Sequence, residues 1–367
     1  RKARQLAGSP ICRAACDDAA MHAAVIKRQP DYEFSASPAA GDTMQVASGV
    51  HWLRMPLPFA LAHINLWLLE DGNGWTIVDT GVATEDSRSV WERTFTDCMH
   101  GRDPSRIIVS HLHPDHAGGA GWLAARFDIP LWMTREEYLL CRVLVADTGR
   151  MAPEAGDRFY RGAGFPPEAL QNYHKVFGFF GKFVAPLPEA YHRIRDGDRI
   201  EVGGRNWEVI VGRGHSPEHA CLFDAEQNLL ISGDQLLPTI SSNVSVYPTE
   251  PAADPLGEWL LSLAELKQRV PQDVLVLPAH GKPFRGAHER LDELMAGHRA
   301  SLDLLAEYCR EPRRAIDTFP VLFKRDIDRN NLIMATGESI AHLNYLLSRG
   351  VLQVETDPQG VRWYRSI

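Results

Sequence analysis

The sequence predicts an α/β fold, on two observations. Short apolar runs alternate with longer helical segments from residue 43 to residue 290, and several of the runs stop at a loop carrying histidine or aspartate. The first runs, residues 49–53, 64–69 and 75–78, are divided by Asp71-Gly72-Asn73-Gly74 and read as strands joined by tight turns. A helix-like stretch at 85–100 precedes a further strand at 106–110, and residues 117–127 read as a helix. Residues 135–185 read as a helical insertion rich in aromatics. Strands resume near Arg199 and recur at 207–211, 229–232 and 274–277, with an amphipathic helix at 257–269.

Beyond Glu289 the pattern changes to helices at 291–309, 315–323 and 338–349 and a hairpin at 351–355 and 360–364. Helix, helix, helix, hairpin is the order of a winged-helix module. The organisation expected is a tail at 1–40, a catalytic domain at 41–290 and a winged-helix-like domain at 291–367.

At 367 residues, with 44% hydrophobic and 23% charged residues, the chain has the composition of a folded globular protein. Its formal net charge of -8 gives no general attraction to nucleic acid or anionic membranes. The helix at 338–349 has a single arginine and carries a glutamate, so a DNA-reading role for the appendage is disfavoured against packing. No apolar run approaches the roughly 18 residues of a membrane span, and the alanine-rich stretch at 14–26, broken by Asp17, Asp18 and His22, does not read as a signal peptide. Cys12, Cys16, Cys98, Cys141, Cys221 and Cys309 show no zinc-ribbon or dense disulfide spacing. The expected setting is the reducing cytoplasm, and the expected partner is a small-molecule substrate, with a homodimer left open.

The strongest chemical signal is His111-Leu112-His113-Pro114-Asp115-His116, directly after the strand ending at Ser110. Residues two apart in extended chain point to one side, so His111 and His113 can share a metal ion. Pro114 breaks the strand, and the chain can turn into the next helix with Asp115 and His116 facing a second ion. Three later segments repeat the pattern: 207–211 leads through glycine to His215, 229–233 leads to Asp234, and 274–279 leads to His280-Gly281. Loops at strand ends let a rigid sheet hold side chains tightly around an open cleft.

These residues resemble the metallo-β-lactamase superfamily with its HxHxDH signature, and most the branch that includes glyoxalase II and related thioesterases. The resemblance spans residues 43–290. It implies a four-layer αββα sandwich and a pair of metal ions. His111, His113 and His215 would hold the first, Asp115, His116 and His280 the second, and Asp234 would bridge them. Imidazole and carboxylate ligands suit zinc, iron or manganese, with zinc the default. Two such ions acidify a shared water, so hydroxide becomes available to attack an ester-like carbon, and Asp115 would orient it and move its proton. Asp79 resembles an aspartate that supports the ligand loops. His219 reads either as a support or substrate contact or as a structural residue, and Cys221 as a small buried side chain.

A thioester is the favoured substrate. A lactone, aryl ester, phosphotriester or β-lactam would use the same chemistry, and a nuclease or a mono-iron sulfur or oxygen redox enzyme is the alternative of another class. The aromatics Phe159, Tyr160, Phe165, Tyr173, Phe177, Phe179, Phe180 and Phe183 either form core or wall an apolar pocket, and 241–245 is a polar loop able to rim it.

Overall fold

A computed structural model of the chain describes residues 29–58, 61–324 and 326–367. Residues 1–28 of the expected tail, with Cys12 and Cys16, lie outside this set. The strands form two stacked sheets. β1 (Asp31–Tyr32) belongs to the second. The first sheet runs in chain order through β2 (Thr43–Ala47), β3 (Val50–Pro56), β4 (His63–Asp71), β5 (Gly74–Val78), β6 (Pro104–Ile108), β7 (Leu131–Met133) and β8 (His192–Arg193). It is antiparallel up to β5 and parallel from β5 to β8. The second contains β9 (Arg199–Val202), β10 (Arg205–Gly212), β11 (His219–Asp224), β12 (Leu229–Gly233), β13 (Leu275–Pro278) and β14 (Phe284–Arg285), in the order β1-β14-β13-β12-β11-β10-β9.

Three apolar layers hold these sheets and their helices together. Between the sheets, Trp52, Trp67, Val78 and Ile108 pack against Trp207, Val209, Leu222, Ile231 and Leu277. Outside the first sheet lie α1 (Glu85–Asp97), the single turn α2 (Pro114–Ala117), α3 (Ala120–Phe127) and α4 (Arg135–Ala146). Val90, Trp91, Leu123 and Tyr138 of these helices bury against Leu53, Leu66, Ile77 and Ile107. After α5 (Glu154–Gly162) and α6 (Pro167–Val176), the outer face of the second sheet is covered by α7 (Pro255–Arg269), α8 (Ala287–Tyr308) and, beyond the single turn α9 (Phe319–Leu322), α10 (Leu332–Ser348). Trp259, Leu263, Leu291 and Ile340 pack there on Ile210, Cys221, Leu230 and Val276. The result is the αββα sandwich, with β15 (Leu352–Thr356) and β16 (Arg362–Ser366) as a separate hairpin.

Local chemistry explains the helix starts. Thr84 accepts the Ser87 amide at the head of α1, and Glu85 and Asp86 sit at its positive end. Asp254 caps α7 the same way through Gly257, with Pro255 in the first turn.

Several elements differ from expectation for identifiable reasons. The helix expected at 117–127 is interrupted between α2 and α3, where the Gly119 amide leaves the helical ladder to donate to the Gly81 carbonyl at 2.9 Å and Thr80 Oγ1 at 3.0 Å. The last long helix begins at Leu332, ahead of the expected 338. Gly337 looks like a helix boundary in sequence but lies inside α10, where a Cβ would meet Ser245 at 2.8 Å. β11 was not anticipated. All its residues are buried, so it lacks the alternation of a half-exposed strand. In the insertion, Tyr160, Phe165 and Tyr173 are core, Phe159 and Phe177 pack on the same core, and Phe180 packs on the other outer layer. Phe179 is the exposed one of the eight.

Candidate metal centre

The histidines and aspartates singled out in the sequence sit at one edge of the sandwich, each just beyond a strand. His111, His113, Asp115 and His116 follow β6, His215 follows β10, Asp234 follows β12 and His280 follows β13. They form two groups, each able to hold a metal ion: His111, His113, His215 and Asp234 in one, and Asp115, His116 and His280 in the other.

In the first group His111 Nε2 lies 2.9 Å from His113 Nδ1 and 3.3 Å from His215 Nε2, and His215 Nε2 lies 3.4 Å from Asp234 Oδ2. Nitrogens about 2.0–2.1 Å from a tetrahedral zinc stand about 3.3 Å apart, so this spacing fits a shared ion. In the second, His280 Nε2 is 3.4 Å from Asp115 Oδ2 and His116 Nε2 is 3.8 Å from the same oxygen. Asp234 Oδ1 joins the groups, 3.6 Å from both His116 Nε2 and His280 Nε2.

Hydrogen bonds behind the rings decide which nitrogen faces inward. The Nδ1–H of His215 donates to the Asn243 carbonyl at 2.7 Å, and that of His280 to the His63 carbonyl at 3.0 Å. A carbonyl only accepts, so the proton on Nδ1 is fixed and Nε2 is the nitrogen that each neutral ring offers to the centre. Asp79, at the end of β5, does the same for two more rings. Its carboxylate accepts His116 Nδ1 at 2.7 Å, the Ser110 amide at 2.8 Å and the Ser110 hydroxyl at 2.8 Å. With its proton committed to Asp79, the Ser110 oxygen accepts from His111 Nδ1 at 3.1 Å. Among the described residues His116 Nε2, His280 Nε2 and Asp234 Oδ1 are buried and have no hydrogen-bond partner. Inward lone pairs beside carboxylates, with no donor between them, fit divalent cations.

The electrostatics divide along the same line. Burial, reinforced by neighbouring imidazoles, holds His111 well below its ordinary value and His113 down to about 3, so these rings are neutral. Burial opposes charge on His116 too, but Asp79, Asp115 and Asp234 outweigh it and raise its pKa well above normal. His280 is raised against the same burial by Asp234 and Asp115. The carboxylates that favour a proton on these rings equally favour a metal ion in its place.

His219 and Cys221 lie behind the site. His219 Nε2 accepts the Asp234 amide at 3.0 Å and is thereby occupied, so it supports the Asp234 loop. Cys221 is buried and donates to the Ser232 carbonyl at 3.5 Å. Sequence reasoning missed Glu137 on α4. Fully buried, it accepts the Leu112 amide at 2.9 Å and the Glu218 amide at 2.7 Å, tying the His111–His113 segment to the loop after His215. Its local sequence, Arg135-Glu136-Glu137-Tyr138, looks like an ordinary exposed helix start, so nothing local marks it.

Comparison with known proteins bears on this geometry directly. Residues 61–282 match the metallo-beta-lactamase superfamily, and residues 302–367 match the metallo-beta-lactamase-like C-terminal domain. The chain belongs to the metallo-beta-lactamase superfamily. It is accordingly a metal-dependent hydrolase, with the superfamily's α/β fold and its C-terminal domain. The crystal structure of a beta-lactamase domain protein from Burkholderia ambifaria is 42% identical, with a TM-score of 0.86, covering 92% of this chain and 98% of its own. The acyl-coenzyme A thioesterase MBLAC2 of Homo sapiens is 24% identical over 266 residues, which are 69% of this chain and 85% of that protein. An atrochrysone carboxyl ACP thioesterase of Aspergillus fumigatus is 24% identical over 236 residues, 64% of this chain, and the match spans only 41% of the fungal enzyme. Among the described residues, no helix is long and apolar enough to cross a membrane.

Proposed function

We propose that this superfamily member hydrolyses a small thioester with two metal ions. His111, His113 and His215 would hold one ion and Asp115, His116 and His280 the other, with Asp234 available to both. The observation that carries the reading is the set of imidazole nitrogens turned inward toward carboxylates, with His116 Nε2, His280 Nε2 and Asp234 Oδ1 buried and without a hydrogen-bond partner. The thioester preference is supported by two relatives named as thioesterases, one for acyl-coenzyme A and one for an acyl carrier protein.

Bound there, divalent ions supply Lewis acidity, acidifying water and polarising an acyl oxygen. The protein's own groups handle the protons. Burial disfavours the Asp115 carboxylate, but His116 and His280 outweigh it and lower its pKa, so it is ionised at neutral pH. Asp115 accepts the proton of the attacking water and delivers it to the departing sulfur as the carbon–sulfur bond breaks, giving a carboxylic acid and a thiol. Asp79 and His219 keep His116 and the Asp234 loop aligned throughout.

Zinc is the default metal and a reducing cytoplasm the proposed setting; among the described residues Cys98, Cys141, Cys221 and Cys309 are free thiols. Residues 41–290 act as the catalytic domain, and 291–367 as a winged-helix-like packing module, which leaves a homodimer open. Nucleic acid is disfavoured because α10 buries Ile340, His342, Leu343 and Leu346 instead of offering a free basic face. The test is elemental analysis together with turnover of thioester, lactone, aryl ester, phosphotriester and β-lactam substrates before and after chelation. About two ions per chain and chelator-sensitive thioester turnover are expected. A single iron without hydrolysis, or full turnover after chelation, would overturn the reading.

A further inference from the structure

The loop between β12 and α7 touches the metal centre, yet most of what anchors it comes from the C-terminal helices α8 and α10. On the site side, Asn243 offers its carbonyl to His215 Nδ1 at 2.7 Å, and Ser242 donates to the Asp234 carbonyl. On the far side, the Arg290 guanidinium on α8 donates to the Leu237 and Ile240 carbonyls at 2.8 and 2.9 Å. From α10, Glu338 Oε2 accepts the Asn243 side-chain amide at 2.8 Å, and the Gly337 carbonyl accepts the Val246 amide at 3.0 Å. Ser245 donates to Asn243 Oδ1 at 2.6 Å and lies 3.3 Å from the Met334 carbonyl. The missing side chain of Gly337 permits this approach, since a Cβ would stand 2.8 Å from Ser245.

We infer that Glu338 is a positioning residue for the metal centre, acting through Asn243 to fix the ring and tautomer of His215. The chain of contacts is continuous: Glu338 orients the Asn243 side chain, and the Asn243 carbonyl holds the His215 proton on Nδ1, leaving Nε2 toward Asp234. The C-terminal module thereby contributes to a site whose ligands all lie outside it. Simple packing does not need this arrangement. The neighbouring apolar contacts of α10, through Ile340, Leu343 and Leu346, already attach the helix to the second sheet's outer layer.

The inference rests on the two-ion reading, and the experiment separates them. Metal-free protein is titrated with Co2+ by calorimetry and by visible absorbance, comparing the wild type, His215→Ala, Glu338→Ala, Glu338→Gln and Asn243→Ala. Outer partners of a ligating histidine typically change metal affinity by 10- to 100-fold. Glu338→Ala, one contact further out, is expected to weaken the binding step lost in His215→Ala by about tenfold, leave the other step unchanged and alter the Co2+ spectrum. Glu338→Gln keeps an oxygen to accept from Asn243 and restores the wild-type titration. Asn243→Ala cuts the same link from the loop side and reproduces Glu338→Ala, which covers the case in which Glu338→Ala does not fold. If the wild type takes up fewer than two ions, or His215→Ala changes neither step, the two-ion reading falls and the inference with it. If His215→Ala removes a step while Glu338→Ala and Asn243→Ala titrate as the wild type, only the inference falls. Equal weakening of both steps, tracking a lower melting temperature and not restored by Glu338→Gln, also overturns it.

Discussion

Asp79→Asn exchanges a carboxylate for an amide of nearly the same shape and so tests the hydrogen-bond logic of the site with little change in packing. Asp79 is 2% exposed, and three donors converge on it: His116 Nδ1, the Ser110 amide and the Ser110 hydroxyl. An asparagine has one acceptor oxygen. If that oxygen stays with the Ser110 amide, its NH2 faces the His116 N–H, and the ring must move its proton to Nε2, the nitrogen that faces Asp115 and Asp234. If the amide turns the other way, it opposes the backbone donor. Either arrangement forfeits a buried hydrogen bond to a charged acceptor, about 1.5–3 kcal/mol. The tautomer change falls on metal binding, expected to weaken by about 10- to 100-fold, or about 1.4–2.8 kcal/mol. Chelator competition followed by elemental analysis reads the affinity, and calorimetric melting of the metal-free protein reads the fold. Wild-type affinity for two ions in Asp79→Asn would refute the assignment of inward Nε2 atoms.

Glu137→Gln places an amide donor against the Leu112 or Glu218 amide, and is expected to cost about 1–3 kcal/mol in thermal unfolding while weakening retention of the His113 and His215 ion under chelator. Unchanged stability would mean that Glu137 does not tie the two loops together. Stripping metal from the wild type is expected to lower its melting temperature, since an ion at 100 times its Kd contributes about 2.7 kcal/mol; a melting temperature indifferent to chelator would count against both ion sites. Burial holds His219 and His298 each down to about 3, so they stay neutral in the fold and gain a proton on unfolding below the ordinary 6.5. Their effect on stability is absent above pH 6.5, and each costs about 1.4 kcal/mol per pH unit as pH falls from there toward 3. His116 and His280 are raised and work oppositely, stabilising the metal-free fold below 6.5 and losing that contribution as pH rises through their folded values. His298→Gln is therefore compared with the wild type by denaturant titration between pH 6 and pH 4, where a shallower loss is expected. An identical slope would show that His298 is not held neutral.

What the sequence makes legible is what is written locally. His111-Leu112-His113-Pro114-Asp115-His116 carries its chemistry in one short block, and His215, Asp234 and His280 each follow an apolar run. These residues do converge, because the strands before them lie side by side in two sheets that end at a common edge. The supporting groups are legible only in part. Asp79 follows a strand and bonds to the residue just ahead of His111, so its support role has a local signature. Glu137 and Glu338 have none, since each looks like a solvated helix residue until the fold brings it to a distant amide. Gly337 shows the same limit in backbone form. It resembles a boundary in sequence, and its reason is Ser245, far away in the chain. A ligand must have particular chemistry wherever it sits, whereas a support needs only one donor or acceptor at the right distance, which many residue types provide. Supports are therefore decided by tertiary geometry, and a residue that offers no ligand atom of its own, such as Asn243, can still determine which nitrogen of His215 faces the ion.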